Sequence, residues 1–596
     1  MKSFTKSTTR LFKKHIARFI TIIAIVIVSI GFMSGIGEVE NKIITSANGI
    51  YTDSCVSDLH LKSKRLTGFT NDELALISSR FNDAKIKFGF SYETKDLEDD
   101  VITRIYSFDL NSDVNKFELD KGRYPTSANE ILAERKTFEI DGINIGETVT
   151  LPYGNGQVST YTVVGIVTNP LILVEIEEPS LQFENRHINN AIYIPAGNLN
   201  IVNDVYISLP DRQLFNGFSD EYEGKINGLK DEVNLLLGSE NVQTLSLYEN
   251  YGFYSLVEYA KKVGIIGIIF VVFFLLVTLL VVYSTMSRLF DEERPQIACL
   301  KTLGFSNLRS ILKYVIFVLT ASVIGAIFAF FVGLLLTWLI YNAFNLQYAM
   351  PPFPNTVNFF YYAVTTIIML VATTLLTLLY GLSLLKKQPA TLLLPKAPKA
   401  GKKVMLEKIP FIWNALSFKY KSTFRNVLLF KSRFFMTVIS IIGSTVLIFA
   451  GLGLMDCSVK MDNGESLITI SGALIVFSAM LCALVIYNLT NINVSERTRE
   501  IATLMVLGYN NEEVTGYIYR EVYIMGIIGA VLGIPFGVCF VEFVFNLITI
   551  GSLSEINWWT YLITPLITLI FTFLSTLLLK KKIISTDMNS SLKTIE

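Results

Sequence analysis

Two stretches decide the architecture: Glu496-Arg-Thr-Arg-Glu-Ile-Ala-Thr-Leu-Met-Val-Leu-Gly508 and Glu292-Glu-Arg-Pro-Gln-Ile-Ala-Cys-Leu-Lys-Thr-Leu-Gly304. Aligned without gaps they share Glu-x4-Ile-Ala-x-Leu-x2-Leu-Gly, and each follows an apolar run. A second match pairs Ser7-Thr8-x-Arg10 and Arg18-Phe19 with Ser422-Thr423-x-Arg425 and Arg433-Phe434, each leading into another apolar run. Agreement among apolar residues can arise by chance, but both matches fall at equivalent places. Such self-similarity marks duplicated structural units. The chain reads as two four-span units, the first with a large insert after its opening helix and the second with a short loop there.

Composition agrees with a membrane protein. The 596 residues are 51% hydrophobic and 17% charged, with mean hydropathy +0.47, whereas a soluble domain carries about 25% charged residues. The 51 basic and 51 acidic residues cancel, so no basic excess points to nucleic acid. Five cysteines without C-x-x-C spacing and three scattered histidines without H-E-x-x-H disfavour a disulfide scaffold and a structural zinc site.

A helix crosses roughly 30 Å of hydrocarbon with about 20 apolar residues. Eight such runs occur: Phe19–Met33, Val263–Tyr283, Val315–Ile340, Phe359–Leu385, Phe434–Leu454, Leu467–Leu489, Tyr517–Ile548 and Trp559–Leu579. The first could be a cleaved signal peptide, but no small-x-small site follows and Glu38 and Glu40 soon appear; we read an uncleaved helix. The fold class expected is therefore an α-helical polytopic membrane protein of eight transmembrane helices in two four-helix repeats.

Orientation follows from the basic residues near the spans. Lys2, Lys6, Arg10, Lys13, Lys14 and Arg18 precede span 1, and the segment after span 4 carries twelve Lys and Arg from Lys386 to Arg433 against Glu407 alone. Lys580, Lys581 and Lys582 follow span 8. Both termini and the linker are expected in the cytoplasm, and Trp338 with Tyr341, Phe359–Tyr362 and Trp558–Trp559 suit an outer interfacial belt. Lys419–Phe434 mixes bases with Leu428, Leu429 and Phe430 as an amphipathic elbow helix would, and Ser7–Arg18 takes the same place before span 1.

Between spans 1 and 2 the composition turns soluble. Glu147–Leu151, Ser159–Val167 and Asn190–Pro195 read as strands bounded by Gly154-Asn-Gly156 and Asn169-Pro170, and Thr70–Arg80 and Lys225–Leu237 as helices. This predicts one α+β extracellular domain inserted after the first helix. Ser246–Lys262 has helical periodicity and reads as a stalk continuing span 2. The expected organisation is 1–36 elbow helix and span 1; 37–260 extracellular domain and stalk; 261–388 spans 2–4 with a first inner helix at 291–305; 389–432 basic linker and elbow; 433–582 spans 5–8 with a second inner helix at 495–509; and 583–596 a cytoplasmic tail.

Each repeated motif reads as a short inner helix ended by glycine. Ile297 and Leu300, or Ile501 and Leu504, make an apolar stripe beside charged residues, and Gly304 and Gly508 suit a left-handed C′ position. Ser306 and Asn510 can cap the next helix, with Glu512 and Glu513 at its positive end. Two such helices suit docking to a dimeric cytosolic partner; a solvated turn at the membrane surface is the plainer reading.

These motifs resemble the FtsX-like, MacB-like permease family of ABC systems. Gly122-Arg-Tyr-Pro-x4-Glu130-Ile-Leu132, Tyr161-Thr-Val-Val-Gly165, and the linker Gln388-Pro-Ala-Thr-Leu-Leu-Leu-Pro with Phe418-Lys-x-Lys-x3-Arg425-Asn426 extend the resemblance over nearly the whole chain. It implies a fused tandem permease. In the family the helix after the second span is the coupling helix that grips the ATPase. The resemblance gives that role to Glu292, Arg294, Ile297, Leu300, Leu303 and Gly304 in the first copy, and to Glu496, Arg497, Arg499, Glu500, Ile501, Leu504 and Gly508 in the second. Copy one departs by Arg294-Pro295, which shifts a helix start. Glu521 at the start of span 7 also has no acidic counterpart between Lys313 and Val318, so any role for it would be one-sided.

No G-x4-G-K-[ST] occurs, so the phosphates of ATP must be held by another polypeptide. Neither G-x-S-x-G nor a histidine within a span supports an embedded hydrolase, and mid-membrane charges for ion coupling are scarce. The chain is expected not to be an enzyme and to bind no cofactor or metal itself. The partners implied are a cytosolic ABC ATPase dimer, the bilayer, and an extracellular protein or amphiphilic substrate, but no nucleic acid. The location implied is a bacterial plasma membrane. The function expected is a permease subunit handling a peptide antibiotic, lipid or lipoprotein. The alternative is a mechanotransmitter or sensor that regulates a cell-wall hydrolase or a signalling kinase without transporting anything.

Overall fold

A computed structural model describes residues 2–95, 101–110, 112–135, 144–152, 158–173, 179–183, 186–196, 201–210, 219–345, 347–354, 359–393, 407, 410–415, 417–429, 431–461 and 464–584. The turn expected at Gly154–Gly156, the linker bases Lys396, Lys399, Lys402, Lys403 and Lys408, and the tail from 585 onward lie outside those residues. The chain divides into two compact units, one of Met1–Glu38, Gly264–Ile340 and Val357–Glu596, the other of Val39–Val263 and Tyr341–Thr356.

The first unit is helical. It draws on α1 (Lys2–Lys14), α2 (Ile16–Asp53), α5 (Tyr251–Glu292), α6 (Arg294–Thr302), α7 (Asn307–Phe344), α8 (Phe359–Leu385), α9 (Pro389–Leu393), α10 (Pro410–Ala415), α11 (Phe418–Leu429), α12 (Lys431–Lys460), α13 (Glu465–Glu496), α14 (Thr498–Val506), α15 (Asn511–Ile548) and α16 (Thr560–Ile584). Eight of these, α2, α5, α7, α8, α12, α13, α15 and α16, are long and apolar enough to cross a membrane. At 1.5 Å per residue, the 38 residues of α2, α7 or α15 reach about 57 Å, well beyond the hydrocarbon. The chain is a multi-pass membrane protein.

Repetition extends into the packing. α1 ends at Lys14 and α2 starts at Ile16; α11 ends at Leu429 and α12 starts at Lys431, the same positions in the repeat. On α15, Gly529 and Gly533 lie so close to α12 that an added Cβ would stand 2.6 Å from side-chain carbons of Ile441 and of Thr445. On α7, Gly325 and Gly333 meet Val26 and Ser34 of α2 with corresponding gaps of 2.8 and 2.4 Å. Gly325 with Gly529, and Val26 with Ile441, are aligned by the sequence repeat; Gly333 aligns with Gly537, whose added Cβ would stand 2.9 Å from Phe449 of α12. Without a hydrophobic force between helices in lipid, small residues that let backbones approach supply the contact. Hydroxyls do the rest: Thr564, Thr568 and Thr572 of α16 each donate to the carbonyl four residues back, and Thr445 meets Thr568 at 3.2 Å. Asn488 of α13 donates to Thr285 of α5 at 2.7 Å, tying the halves together. Trp338, Phe359, Trp558 and Trp559 are exposed as a belt would be, but Tyr341 is buried and donates to Ser46 at 2.8 Å.

The second unit is an α/β sheet domain. Its strands are β1 (Leu59–Ser63), β2 (Lys85–Lys95), β3 (Ile102–Phe108), β4 (Glu118–Gly122), β5 (Glu130–Glu134), β6 (Thr148–Pro152), β7 (Val158–Thr168), β8 (Asn190–Pro195), β9 (Asp204–Ser208) and β10 (Val242–Ser246), with α3 (Asn71–Arg80) and α4 (Asp220–Leu237). Among the described residues they form one sheet in the order β10-β1-β9-β2-β3-β8-β5-β7-β4, with β6 also on β7. β3–β8 and β5–β7 are parallel and the other pairs antiparallel. Alternation along central strands fills two cores: Tyr106, Leu132 and Tyr193 face one, Ile105, Ile131, Ala133, Ile192 and Ile194 the other.

The helix expected at Thr70 starts with a capping box, in which Thr70 and Glu73 each accept the other's backbone N–H. α4 begins five residues earlier than expected, at Asp220, because Ser219 caps it. The expected stalk start is corrected too: Ser246 closes β10, Leu247–Glu249 form a 3-10 turn, and the helix begins at Tyr251. Residues 341–356 join this unit, with the Ala349 N–H donating to the Leu173 carbonyl at 2.8 Å. The Gly122-Arg-Tyr-Pro motif gains a physical meaning here. Gly122 has φ +83° with Val164 O 2.3 Å from where a Cβ would be, and Arg123 grips Glu130 through two hydrogen bonds of 2.8 and 2.6 Å. That clamp, with the Thr126 N–H, holds the half-buried Glu130 carboxyl at about 2.

Candidate functional site

Both repeated motifs fold as a short helix, a reverse turn and the next span. In the first, the Phe305 N–H donates to the Leu300 carbonyl and the Gly304 N–H to the Lys301 carbonyl; in the second, Tyr509 and Gly508 donate to Leu504 and Met505, all at 3.1 Å. This 6→1 plus 5→2 pattern is a Schellman ending and requires a left-handed residue. Gly304 and Gly508 supply it, at φ +81° and +89°. Asn510 and Glu513 then form a capping box, and Ser306 accepts from the Arg309 N–H at 3.4 Å.

The stripe of Ile297 and Ile501 does not face outward. Both are buried, Ile501 against Val494, Val514, Ile518 and Ile583 with Leu504 packed alongside. Leu300 and Leu504 are half-buried. These residues hold the short helices to the spans, since burial of a whole Ile or Leu side chain is worth about 1.5–3 kcal/mol. What the turns expose is apolar: Leu303 is 73% exposed and Leu507 69%, with Phe305 and Tyr509 beside them at 46% and 51%. Sequence periodicity missed Phe305 and Tyr509 because they follow the helix-ending glycine.

Each helix start is anchored by buried charge. Arg497 forms two bonds to Glu521 of α15, at 2.7 and 2.6 Å, with both side chains buried. In copy one the residue aligned with Arg497 is Glu293, which accepts from Lys14 at 2.7 Å and stands 4.0 Å from Lys313 of α7. Lys313 in turn donates to Gln296 at 3.1 Å. Glu521 itself aligns with Phe317, but Lys313, one turn earlier on the span, plays the matching part with the signs exchanged: acid on the short helix and base on the span in copy one, base and acid in copy two. Burial raises the Glu293 carboxyl, but hydrogen bonds from His15 and Lys14 and the charges of Lys14 and Lys313 outweigh it and bring it to about 2. At the positive start of α6 an acid is favoured by the helix dipole, whereas Arg497 at the start of α14 depends on Glu521.

The remaining site residues are placed differently in the two copies. Glu292 receives both guanidinium nitrogens of Arg18, at 2.9 and 2.5 Å. Arg294, buried, reaches the Thr391 carbonyl at 3.4 Å, and Lys301 donates to the Leu385 carbonyl at 2.6 Å. Pro295 falls within the first turn of α6. In copy two Glu500 is exposed, 3.8 Å from Arg497; the side chains of Glu496 and Arg499 lie outside the described residues.

The fold and this paired geometry define a tandem membrane protein of the permease type. Residues 268–389 and 472–588 each match the model of the FtsX-like permease C-terminal domain, and both matches contain a repeated turn. Each half thus carries an FtsX-like permease C-terminal domain, a domain of ABC-transporter membrane subunits that are not themselves catalytic, and this supports an ABC permease subunit. The crystal structure of the extracellular domain of the noncanonic ABC-type transporter YknZ from Gram-positive bacteria is similar at 12% identity, covering 32% of this chain and 99% of that one with a TM-score of 0.20. None of the curated proteins matches.

Proposed function

We propose that this chain couples ATP hydrolysis by a separate cytosolic ATPase pair to movement of its inserted domain, and so handles an amphiphile such as a peptide antibiotic, a lipid or a lipoprotein. The observation that carries this reading is the pair of exposed apolar turns, Leu303 with Phe305 and Leu507 with Tyr509, at equivalent places in the repeat. Exposed apolar side chains on a rigidly anchored element suit insertion into a protein groove. Glu292 and Glu500 supply the polar surround, while Ile297, Ile501 and the Glu293 and Arg497 anchors carry force into the spans. ATP belongs to the partner, the turns and both termini to the cytoplasm, and the inserted domain to the outside.

One chain carries two such turns and eight spans, so one copy would serve two ATPase subunits. Native mass spectrometry of the chain co-expressed with a cytosolic P-loop ATPase from the same organism should give that stoichiometry, and hydrolysis should rise when an amphiphilic peptide or lipid is added. Two copies of this chain per ATPase pair, or no association at all, would overturn the reading.

A further inference from the structure

The cleft between α1, α6 and α7 is lined by Lys6, Arg10, Lys14 and Lys313 with Glu293 and Gln296, and encloses about 460 Å³. One carboxylate answers four cations. Lys313 is buried at the foot of an apolar helix, where the amide of Gln296, a carboxylate 4.0 Å away and the Tyr314 ring 4.8 Å from its ammonium leave room for a further anionic partner to offset its lost hydration. Lys6 and Arg10 stand exposed at the mouth.

The other half does not repeat this cleft. Lys6 and Arg10 align with Lys421 and Arg425, but Lys14 aligns with Leu429 and Lys313 with Tyr517. Lys421 lies over the Trp413 ring, 6.0 Å from its centroid, and Arg425 is 3.8 Å from Glu407. Among the described residues, the aligned positions of the second half do not rebuild this cleft.

Next to the cations the same elements turn apolar and exposed: Ile16 and Ile20 follow Lys14 on α2, and Leu308 and Leu312 precede Lys313 on α7. A charged head in the cleft leaves acyl chains an apolar path along spans that cross the bilayer, and basic pockets between spans hold anionic lipid heads by this means. The geometry points to a site for one anionic phospholipid, its phosphodiester between Arg10, Lys14 and Lys313 and its chains along Ile16, Ile20 and Leu312. The site lies only in the first half, and the inference does not depend on how the ATPase docks.

The full chain, purified in neutral detergent, would be titrated with dioleoylphosphatidylglycerol, dioleoylphosphatidylcholine and inorganic phosphate, with bound lipid read by native mass spectrometry. One phosphatidylglycerol should be retained in preference to phosphatidylcholine, and phosphate should not displace it. Lys6→Gln with Arg10→Gln, both at exposed positions, should weaken that retention about tenfold, and Lys313→Gln should abolish it, while Lys421→Gln with Arg425→Gln leaves it unchanged. Equal retention of phosphatidylcholine, displacement by phosphate alone, or an equal loss from the second-half pair would overturn the assignment.

Discussion

Arg497 and Glu521 form a doubly hydrogen-bonded, buried ion pair between the start of α14 and α15, and the aligned region of the first half holds Glu293 facing Lys313 with the charges exchanged. Each short helix is thereby tied to the span that follows it. A buried pair of this sort constrains geometry more than it adds stability, because its attraction is largely spent on desolvation. Its value here is a rigid joint behind an exposed turn.

Removing one partner leaves the other charge buried. Arg497→Ala or Glu521→Ala should therefore each cost about 3–5 kcal/mol, whereas Arg497→Met with Glu521→Leu should restore most of the stability while loosening the joint. Thermal unfolding of the purified variants, with ATP hydrolysis measured in the complex, separates the two effects. Equal stability of single and double variants would show that the pair is not coupled.

Docking and anchoring should separate by residue. Leu507→Asp and Leu303→Asp change exposed positions, so melting should be unaltered while affinity for the ATPase falls by about 2 kcal/mol or more, the scale of an interface hot spot. Ile501→Asp should instead reduce folded protein, since it buries a charge. A pull-down with the ATPase, scored beside the melting curves, decides; normal binding by both surface variants would remove the turns from the interface.

Close helix approach predicts which glycines matter. Gly533→Val would drive a Cβ to 2.6 Å from Thr445, and overpacking of this kind costs about 1–3 kcal/mol. Gly516→Ala, in open space on the same helix, should be neutral or gain up to about 1 kcal/mol from helix propensity. Denaturation of both in the same detergent tests the contrast.

Acid should loosen the first joint. The folded carboxyl of Glu293 sits at about 2, below its unfolded value of 4.5, so its contribution is fully present above pH 4.5 and lost as pH falls from there toward 2. At about 1.4 kcal/mol per unit the whole contribution is about 3 kcal/mol. The melting difference between the parent chain and Glu293→Gln should be flat from pH 8 to 5 and shrink below 4.5; a difference that instead grows in acid would contradict the assignment.

Features set by neighbours in sequence were legible beforehand. Eight apolar runs fix the spans because a bilayer demands only length and hydropathy, and the Gly304 and Gly508 endings follow from a local backbone requirement, as does the Thr70 cap. Strands β7 and β8 showed their alternation. Strands β1–β5, β9 and β10 were missed: they are short or charged, and β3 finds its parallel partner β8 about 90 residues away. The glycine stripe of α15 was present in the sequence, yet its meaning depends on α12 lying against it.

The sequence by itself determined two repeated four-span units, an inserted folded domain and a glycine-ended turn in each half, since all of these rest on hydropathy, periodicity and local backbone preference. Only the tertiary structure decided that Ile297 and Ile501 face inward, that Leu303, Phe305, Leu507 and Tyr509 are what the turns present, and that Lys313, one turn before the position aligned with Glu521, faces Glu293 with the signs exchanged. Such pairings depend on how helices rotate and pack against one another, which fixes the partner of a charge or the face of a stripe through contacts far apart in the chain.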